Sequence, residues 1–250
     1  MAAQRIGVGI IAYYGLADVQ SAVGSILDRG KGDYDVRIFD NSENDEVGEW
    51  IRHHAGSVQY VRSPYNVGCS IARNRLSQWF MSDGCRHFVI QDQDVTWAGD
   101  AGAAMLDVFE RYPGTGIASW HLATRQMSGA ESRYKPDATG AVFEVPGMCC
   151  MYSAACVKAV IKQATADGCA HCRAWNTRML MYRFDTLFCL LANKAGYKTR
   201  VVWPDANLVR HVNPHKGVQR NLRIRVEQAH SRRVFAEELK LHGLKWRGKP

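Results

Sequence analysis

Along the first hundred residues, short aliphatic and β-branched runs alternate with segments whose apolar positions recur every three or four residues. That alternation predicts strands separated by amphipathic helices, the pattern of a mainly parallel sheet covered on both faces. Residues 6–11 read as the first strand. Asp18 then opens a helix with Val19, Ala22, Val23, Ile26 and Leu27 on its inner face, and Gly30 and Gly32 end it. Further strands are predicted at 34–40, 58–61 and 87–91. A short helix falls at 47–54, and a longer one at 71–81 turns Ala72, Leu76, Trp79 and Phe80 inward.

The second half is less regular. Helices are predicted at 100–111, 157–166 and 185–195, and strands at 116–120, 141–145 and 198–203. The polar loop at 125–139 is long for a connection, a length that suits a lid or binding element. The fold class is therefore α/β, a mixed, mainly parallel sheet flanked by helices. Residues 1–215 read as a single domain, with halves at 1–97 and 98–215, followed by a helical extension over 216–250.

Charge separates that extension from the rest. Of the formal net charge of +8, residues 216–250 carry +7, from ten Lys/Arg against three acids. Such a segment attracts polyanions: nucleic acid, an acidic membrane surface or an acidic polymer. Its apolar positions Val218, Leu222, Val226, Phe235 and Leu239 equally suit a helix docked on the body. The longest apolar stretch, residues 6–17, is broken by Gly7, Gly9 and Gly15 and falls short of the roughly 18 residues a membrane span needs. It reads as a buried strand rather than a signal peptide. Eight irregularly spaced cysteines suit free thiols in a reducing cytoplasm better than a disulfide scaffold.

In an open α/β sheet, ligands bind beyond the carboxyl ends of the strands. Those ends hold Ala12-Tyr13-Tyr14, Asp40-Asn41-Ser42, the segment 62–68, and Asp92-Gln93-Asp94. Neither a Gly-rich dinucleotide fingerprint nor a Gly-Lys-Ser/Thr phosphate loop is present. A nucleotide held here needs its diphosphate charge neutralised by another device. Asp92 and Asp94, two acids at i and i+2 where an apolar strand ends, can aim oxygens at one divalent cation. Asp-x-Asp also occurs in ordinary turns.

In order along the chain, Val8-Gly9-Ile10-Ile11-Ala12-Tyr13-Tyr14, Ile38-Phe39-Asp40-Asn41-Ser42, Asn66-Val67-Gly68 with Ile71-Ala72-Arg73-Asn74, and Val89-Ile90-Gln91-Asp92-Gln93-Asp94 resemble the nucleotide-sugar half of glycosyltransferase family 2 and its GT-A-fold relatives. Phe184-Asp185-Thr186-Leu187, Ala195-Gly196-Tyr197-Lys198, Pro204-Asp205-Ala206 and Arg210-His211 resemble the acceptor half, and Val145-Pro146-Gly147 the strand lining the sugar pocket. The resemblance covers residues 5–215 and leaves out the basic extension.

The resemblance implies a metal-dependent inverting transferase that moves a sugar from a nucleotide-diphosphate sugar to an acceptor hydroxyl. Asp40 would bond the base or ribose, with Ala12 and Tyr13 walling the base and Asn66 and Arg73 completing the nucleotide pocket. Gly147 would line the sugar. Asp94 would bind Mn2+ or Mg2+, Asp92 the ribose or a metal-bound water, and His211 the metal or the diphosphate. Asp185 would be the general base, although Phe184 stands where the family often has a second acid. Plainer roles compete: Asp185 as a helix cap, His211 as a half-buried histidine, Asp40 as a turn-former. Trp120, Trp175 and His121 suit core packing or stacking on a sugar. Cys169-Ala170-His171-Cys172 has zinc-ligand spacing but lacks a second ligand pair among Cys149, Cys150 and Cys156. Rival functions are a nucleotidyltransferase of related fold and an inactive scaffold that binds polyanions. Modified DNA is one anionic acceptor, whose target base would leave the stack to reach Asp185.

Overall fold

The computed structural model describes residues 5–120, 139–142, 145, 147–171, 173–179, 183–202, 208–212 and 222–245, with the backbone alone for 222–226. Strand β1 (Ile6–Ala12), helix α1 (Leu16–Arg29), β2 (Tyr34–Asp40), α2 (Glu46–His54), β3 (Gln59–Arg62), α3 (Cys69–Ser82) and β4 (His87–Asp92) form the first half. Then come β5 (Val95–Trp97), α4 (Ala101–Arg111), β6 (Thr115–Ser119), β7 (Ala141–Val142), β8 (Cys149–Ser153), α5 (Ala154–Ala166), α6 (Phe184–Lys194), β9 (Lys198–Val201), β10 (Val209–His211) and α7 (Leu222–Leu241).

One eight-stranded sheet runs β3-β2-β1-β4-β8-β6-β9-β7, and β5 pairs with β10 in a separate ribbon. Strands β3, β2, β1 and β4 are parallel neighbours, while β8 lies antiparallel to both β4 and β6. The sheet separates two apolar cores. Val8, Ile10, Ile38 and Val89 point to the one under α1, α2 and α4. Phe88, Ile90, Ile117 and Tyr152 point to the one under α3, α5, α6 and α7. Gly7 and Gly9 face α3, and a Cβ on Gly7 would stand 2.4 Å from Cδ1 of Phe80. Those glycines let the helix settle on the central strand.

Several sequence expectations need correction. Strand β8 was not foreseen: its five buried residues, Cys-Cys-Met-Tyr-Ser, lack the Val/Ile run that marks the equally buried β1. Of the strand expected at 141–145, Ala141–Val142 lie at the sheet edge, paired with β9, Val145 is irregular, and 143–144 lie outside the described residues. Helix α5 begins at Ala154 rather than 157, because the Ser153 hydroxyl accepts a hydrogen bond from the Cys156 amide and caps it. Asp18 sits inside the first turn of α1 rather than at its cap, and Leu27 is half exposed instead of inward. Trp120 and Trp175 are both buried in the cores, Trp175 stacked on Phe188 at 4.6 Å, so packing is their role. The loop at 125–138, His121, the strand end at 203, and Pro204-Asp205-Ala206 lie outside the described residues.

Helix α7 is docked. Val234 and Phe235 are fully buried in the α5–α6 core and Leu239 packs against it, while Arg232 and Arg233 face outward. Val218 and the side chains of Leu222 and Val226 lie outside the described residues. No described helix is long and apolar enough to cross a membrane.

Candidate active site

The register of the sheet brings the sequence-predicted residues to one edge. Ala12 pairs with Asp40, Asp40 with Arg62, and Ile11 with Asp92. The carboxyl ends of β1, β2, β3 and β4 therefore finish level, leaving the following loops to form one surface.

At the end of β4, the buried Gln91 closes the turn that displays the two acids. Its Nε2 donates to the Val95 carbonyl at 2.9 Å, and its Oε1 accepts from Trp97 Nε1 at 2.8 Å. A glutamine inside an apolar strand was the sequence signal for this bracket, and it was passed over. Beyond the turn, the β5–β10 ribbon sets His211 opposite Val95. His211 Nε2 then lies 2.9 Å from Asp94 Oδ2. Hydrogen bonding to Asp94 holds the imidazole above its usual pKa, against the opposing effect of burial.

Asp92 faces the other way. Its Oδ1 accepts from Arg73 Nη2 at 3.0 Å, and its amide donates to the Met148 carbonyl at 2.9 Å. Loss of surrounding water raises the Asp92 carboxyl above the usual carboxylate range; Arg73 pulls it down, and Asp94 and Asp185 add repulsion. Arg73 is fully buried over the Phe184 ring, and its Nε and Nη1 have no hydrogen-bond partner among the described residues.

Gly147 joins this corner to Asp185. Its amide donates to Asp185 Oδ2 at 3.0 Å, and a Cβ there would stand 3.2 Å from the Asp185 Cβ and 3.4 Å from Arg73 Nη2. Asp185 lies in the first turn of α6, where its Oδ1 accepts from the Thr186 amide at 2.8 Å. The cap position belongs to Arg183, whose side chain makes no capping bond, so Asp185 is not the helix cap. Asp92 is thus tied to Arg73, Asp185 to Gly147 and Asp94 to His211, and the ligand atoms of Asp92, Asp94 and His211 do not converge as one group.

The β1–α1 turn is held from the same place. The Tyr13 amide donates to Gln93 Oε1 at 2.7 Å, and Gln93 Nε2 donates to the Tyr13 and Tyr14 carbonyls. Tyr14 and Gly15 are both left-handed, at φ 51° and 85°. For a tyrosine that conformation costs about 1 kcal/mol or more, and the Gln93 and Ser42 bonds hold it in place. Tyr13 is left 46% exposed, whereas Ala12 is buried. Nothing in the sequence alone assigned Gln93 this role.

The structure does not bring Asp40 to the open surface. It is fully buried, with Oδ1 accepting from the Ser42 amide at 2.8 Å and Oδ2 from the Tyr60 hydroxyl at 2.9 Å. Those are the contacts of a residue that builds the turn after β2. Asn66 is half-buried and also shapes backbone, its Oδ1 accepting from the Gly68 amide at 2.9 Å.

A cation fits the Asp94–His211 corner. Asp94 and His211 would hold it between them in place of the hydrogen bond that now spans 2.9 Å, and it would supply positive charge for bound phosphate oxygens. The carboxylate suits manganese, with the imidazole as a further donor and oxygen ligands completing the set.

A family model described as glycosyl transferase family 2 matches residues 8–170, more than half of the chain. No curated protein matches it. Among solved structures, the mannosyltransferase PcManGT from Pyrobaculum calidifontis, in complex with GDP-Man and Mn2+, aligns over 100% of this chain and 67% of its own, at 14% identity and a TM-score of 0.66. TarS from S. aureus aligns over 97% of this chain and 44% of its own, at 15% identity and a TM-score of 0.61. GalNAc-T7 with UDP, GalNAc and Mn2+ aligns over 80% and 43%, at 12% identity and a TM-score of 0.60. The chain thus spans less than half the length of the last two. A sheet of this order, with an acidic turn at the end of β4, places the fold in the GT-A class, and the chain belongs to glycosyl transferase family 2.

Proposed function

We propose that the chain is a metal-dependent, inverting glycosyltransferase that moves a sugar from a nucleotide-diphosphate donor to an acceptor hydroxyl. The observation that carries this reading is the 2.9 Å meeting of Asp94 and His211 beside Asp92, Arg73, Gly147 and Asp185. Mn2+ in the complexes of PcManGT and GalNAc-T7 supports it. Residues 1–97 form the donor half and 98–215 the acceptor half.

Asp94 and His211 would hold Mn2+ or Mg2+. Bound there, the cation would supply positive charge against the departing diphosphate. Arg73 fixes Asp92 and keeps one positive charge under the corner, which limits repulsion among the acids. Asp185 takes the acceptor's proton as the hydroxyl attacks, since a neutral hydroxyl is a poor nucleophile. Gly147 orients that carboxylate through its amide, and its missing side chain lets Asp185 and Arg73 close in beside the sugar. Tyr13 offers its ring to the base, with Ala12 and Asn66 shaping the wall behind. Direct displacement by one base on one face inverts the anomeric centre.

For the acceptor, the +7 over residues 216–250 favours an anionic polymer, modified DNA among them. The direct test is transfer from a panel of UDP, GDP and TDP sugars, with and without Mn2+. Metal-dependent donor hydrolysis or transfer by the wild type that is lost in Asp94→Ala is expected. Full activity in Asp94→Ala, or pyrophosphate as product, would overturn the reading.

A further inference from the structure

At the other end of α6 from Asp185, the turn after α5 meets the end of α7 at a second cluster of ligating atoms. Cys169, Glu238 and His242 are all buried, and one ligand atom from each lies within 4.8 Å of the others. The Cys169 Sγ to Glu238 Oε2 distance is 3.4 Å, and His242 Nε2 to the same oxygen is 3.3 Å. His242 Nδ1 is engaged elsewhere, 2.6 Å from Asp167 Oδ2. Asp167 is itself fixed, by Lys194 Nζ at 2.8 and 2.9 Å and by Gln163 Nε2 at 2.9 Å.

We propose that Cys169, Glu238 and His242 bind a zinc ion that fastens α7 to the body of the chain. A charge-assisted N–H to carboxylate bond closes to about 2.7–2.9 Å, as His242 Nδ1 does on Asp167. Nε2 stands further off, yet ligand atoms on a tetrahedral zinc lie about 3.3–3.6 Å apart, which matches both observed separations. The Asp167–His242 contact is the outer-carboxylate pairing that orients a metal-bound imidazole and leaves Nε2 as the ligand. Thiolate with imidazole and carboxylate selects zinc over the oxygen-preferring manganese, so this site is chemically distinct from the Asp94 corner. Thiolate and carboxylate together balance the 2+ charge. Binding releases the Cys169 thiol proton and any proton on Nε2 to solvent.

Glu238 and His242 lie four residues apart and share one helical face, so a single turn of chain presents both. Cys172, at the two-residue spacing with which paired cysteines share zinc, lies outside the described residues. The proposed partners of Cys169 are therefore Glu238 of α7 and His242 just beyond its end, not Cys149, Cys150 or Cys156.

The test uses the full chain, purified without a metal-affinity tag, loaded with zinc and dialysed against metal-free buffer. Elemental analysis is expected to find close to one zinc per chain, and Cys169→Ser and His242→Gln to lower it about tenfold or more. Asp94→Ala is expected to keep it. Cobalt in place of zinc is expected to give a thiolate-to-cobalt charge-transfer band that is missing in Cys169→Ser. Wild type with no zinc and no such band, or zinc retained by both variants, would overturn the proposal. Should the variants not fold, the metal content and cobalt spectrum of the wild type decide.

Discussion

Asp185 holds its carboxylate between two amides, its own neighbour's and that of Gly147. Asparagine in its place keeps the shape but cannot accept a proton. Asp185→Asn is therefore expected to lower kcat by about 10²–10⁴-fold with little change in donor binding. Rapid-quench turnover beside donor titration checks this; an equal fall in donor affinity would count against a base. A second residue-scale prediction concerns His87, which packs on Phe109 at 4.7 Å. Burial, with Arg86 adding repulsion, lowers its pKa to about 4. The unfolded chain therefore binds this proton first, so stability falls as pH drops from about 6.5 toward 4 and stops falling below that. Partial exposure limits the effect to about 1–2 kcal/mol. His87→Phe is expected to flatten stability against pH in that window in urea titrations; an unchanged slope would refute the assignment.

Among the elements, the seating of α3 on β1 depends on Gly7. A valine there would drive its side chain into Phe80, 2.4 Å from where a Cβ must go. Gly7→Val is expected to cost about 1–3 kcal/mol by overpacking. Denaturant midpoints measure it, and an unshifted midpoint would mean that Phe80 has room to move. The same elements show what could be read from the chain. Strands β1, β2 and β4 carry apolar β-branched runs and helices α1 to α4 carry helical spacing, and the end of β4 delivers Asp92 and Asp94 together. Strand β8 hides because Cys-Cys-Met-Tyr-Ser lacks the β-branched run that makes the equally buried β1 and β2 legible. The meeting of His211 with Asp94 depends on a three-residue ribbon 117 residues away in sequence, which no local pattern encodes. The burial of Asp40, expected at the base or ribose, is hidden for a related reason. The type of residue was legible, but its burial under Tyr60 was set by tertiary packing.

For the whole molecule, α7 joins two demands that the sequence left open, docking and polyanion attraction. Its buried face belongs to the α5–α6 core, while Arg232 and Arg233 remain outward. Removing residues 222–250 is thus expected to expose apolar surface, lowering the melting temperature and promoting aggregation. A tail that only gathers polyanions would come away without either effect. Charge reversal at Arg232 and Arg233 is the gentler probe. It is expected to weaken retention on an anionic polymer in a salt-dependent way while leaving hydrolysis of free donor intact.

The end of β4 and the β5–β10 ribbon meet at the pair of Asp94 and His211, so the most direct measurement is nucleoside-diphosphate binding by calorimetry with and without Mn2+. Wild type is expected to bind UDP or GDP only when the ion is present, and Asp94→Ala to lose that dependence together with most of the affinity. Equal, metal-independent binding by the two proteins would contradict a cation at that corner.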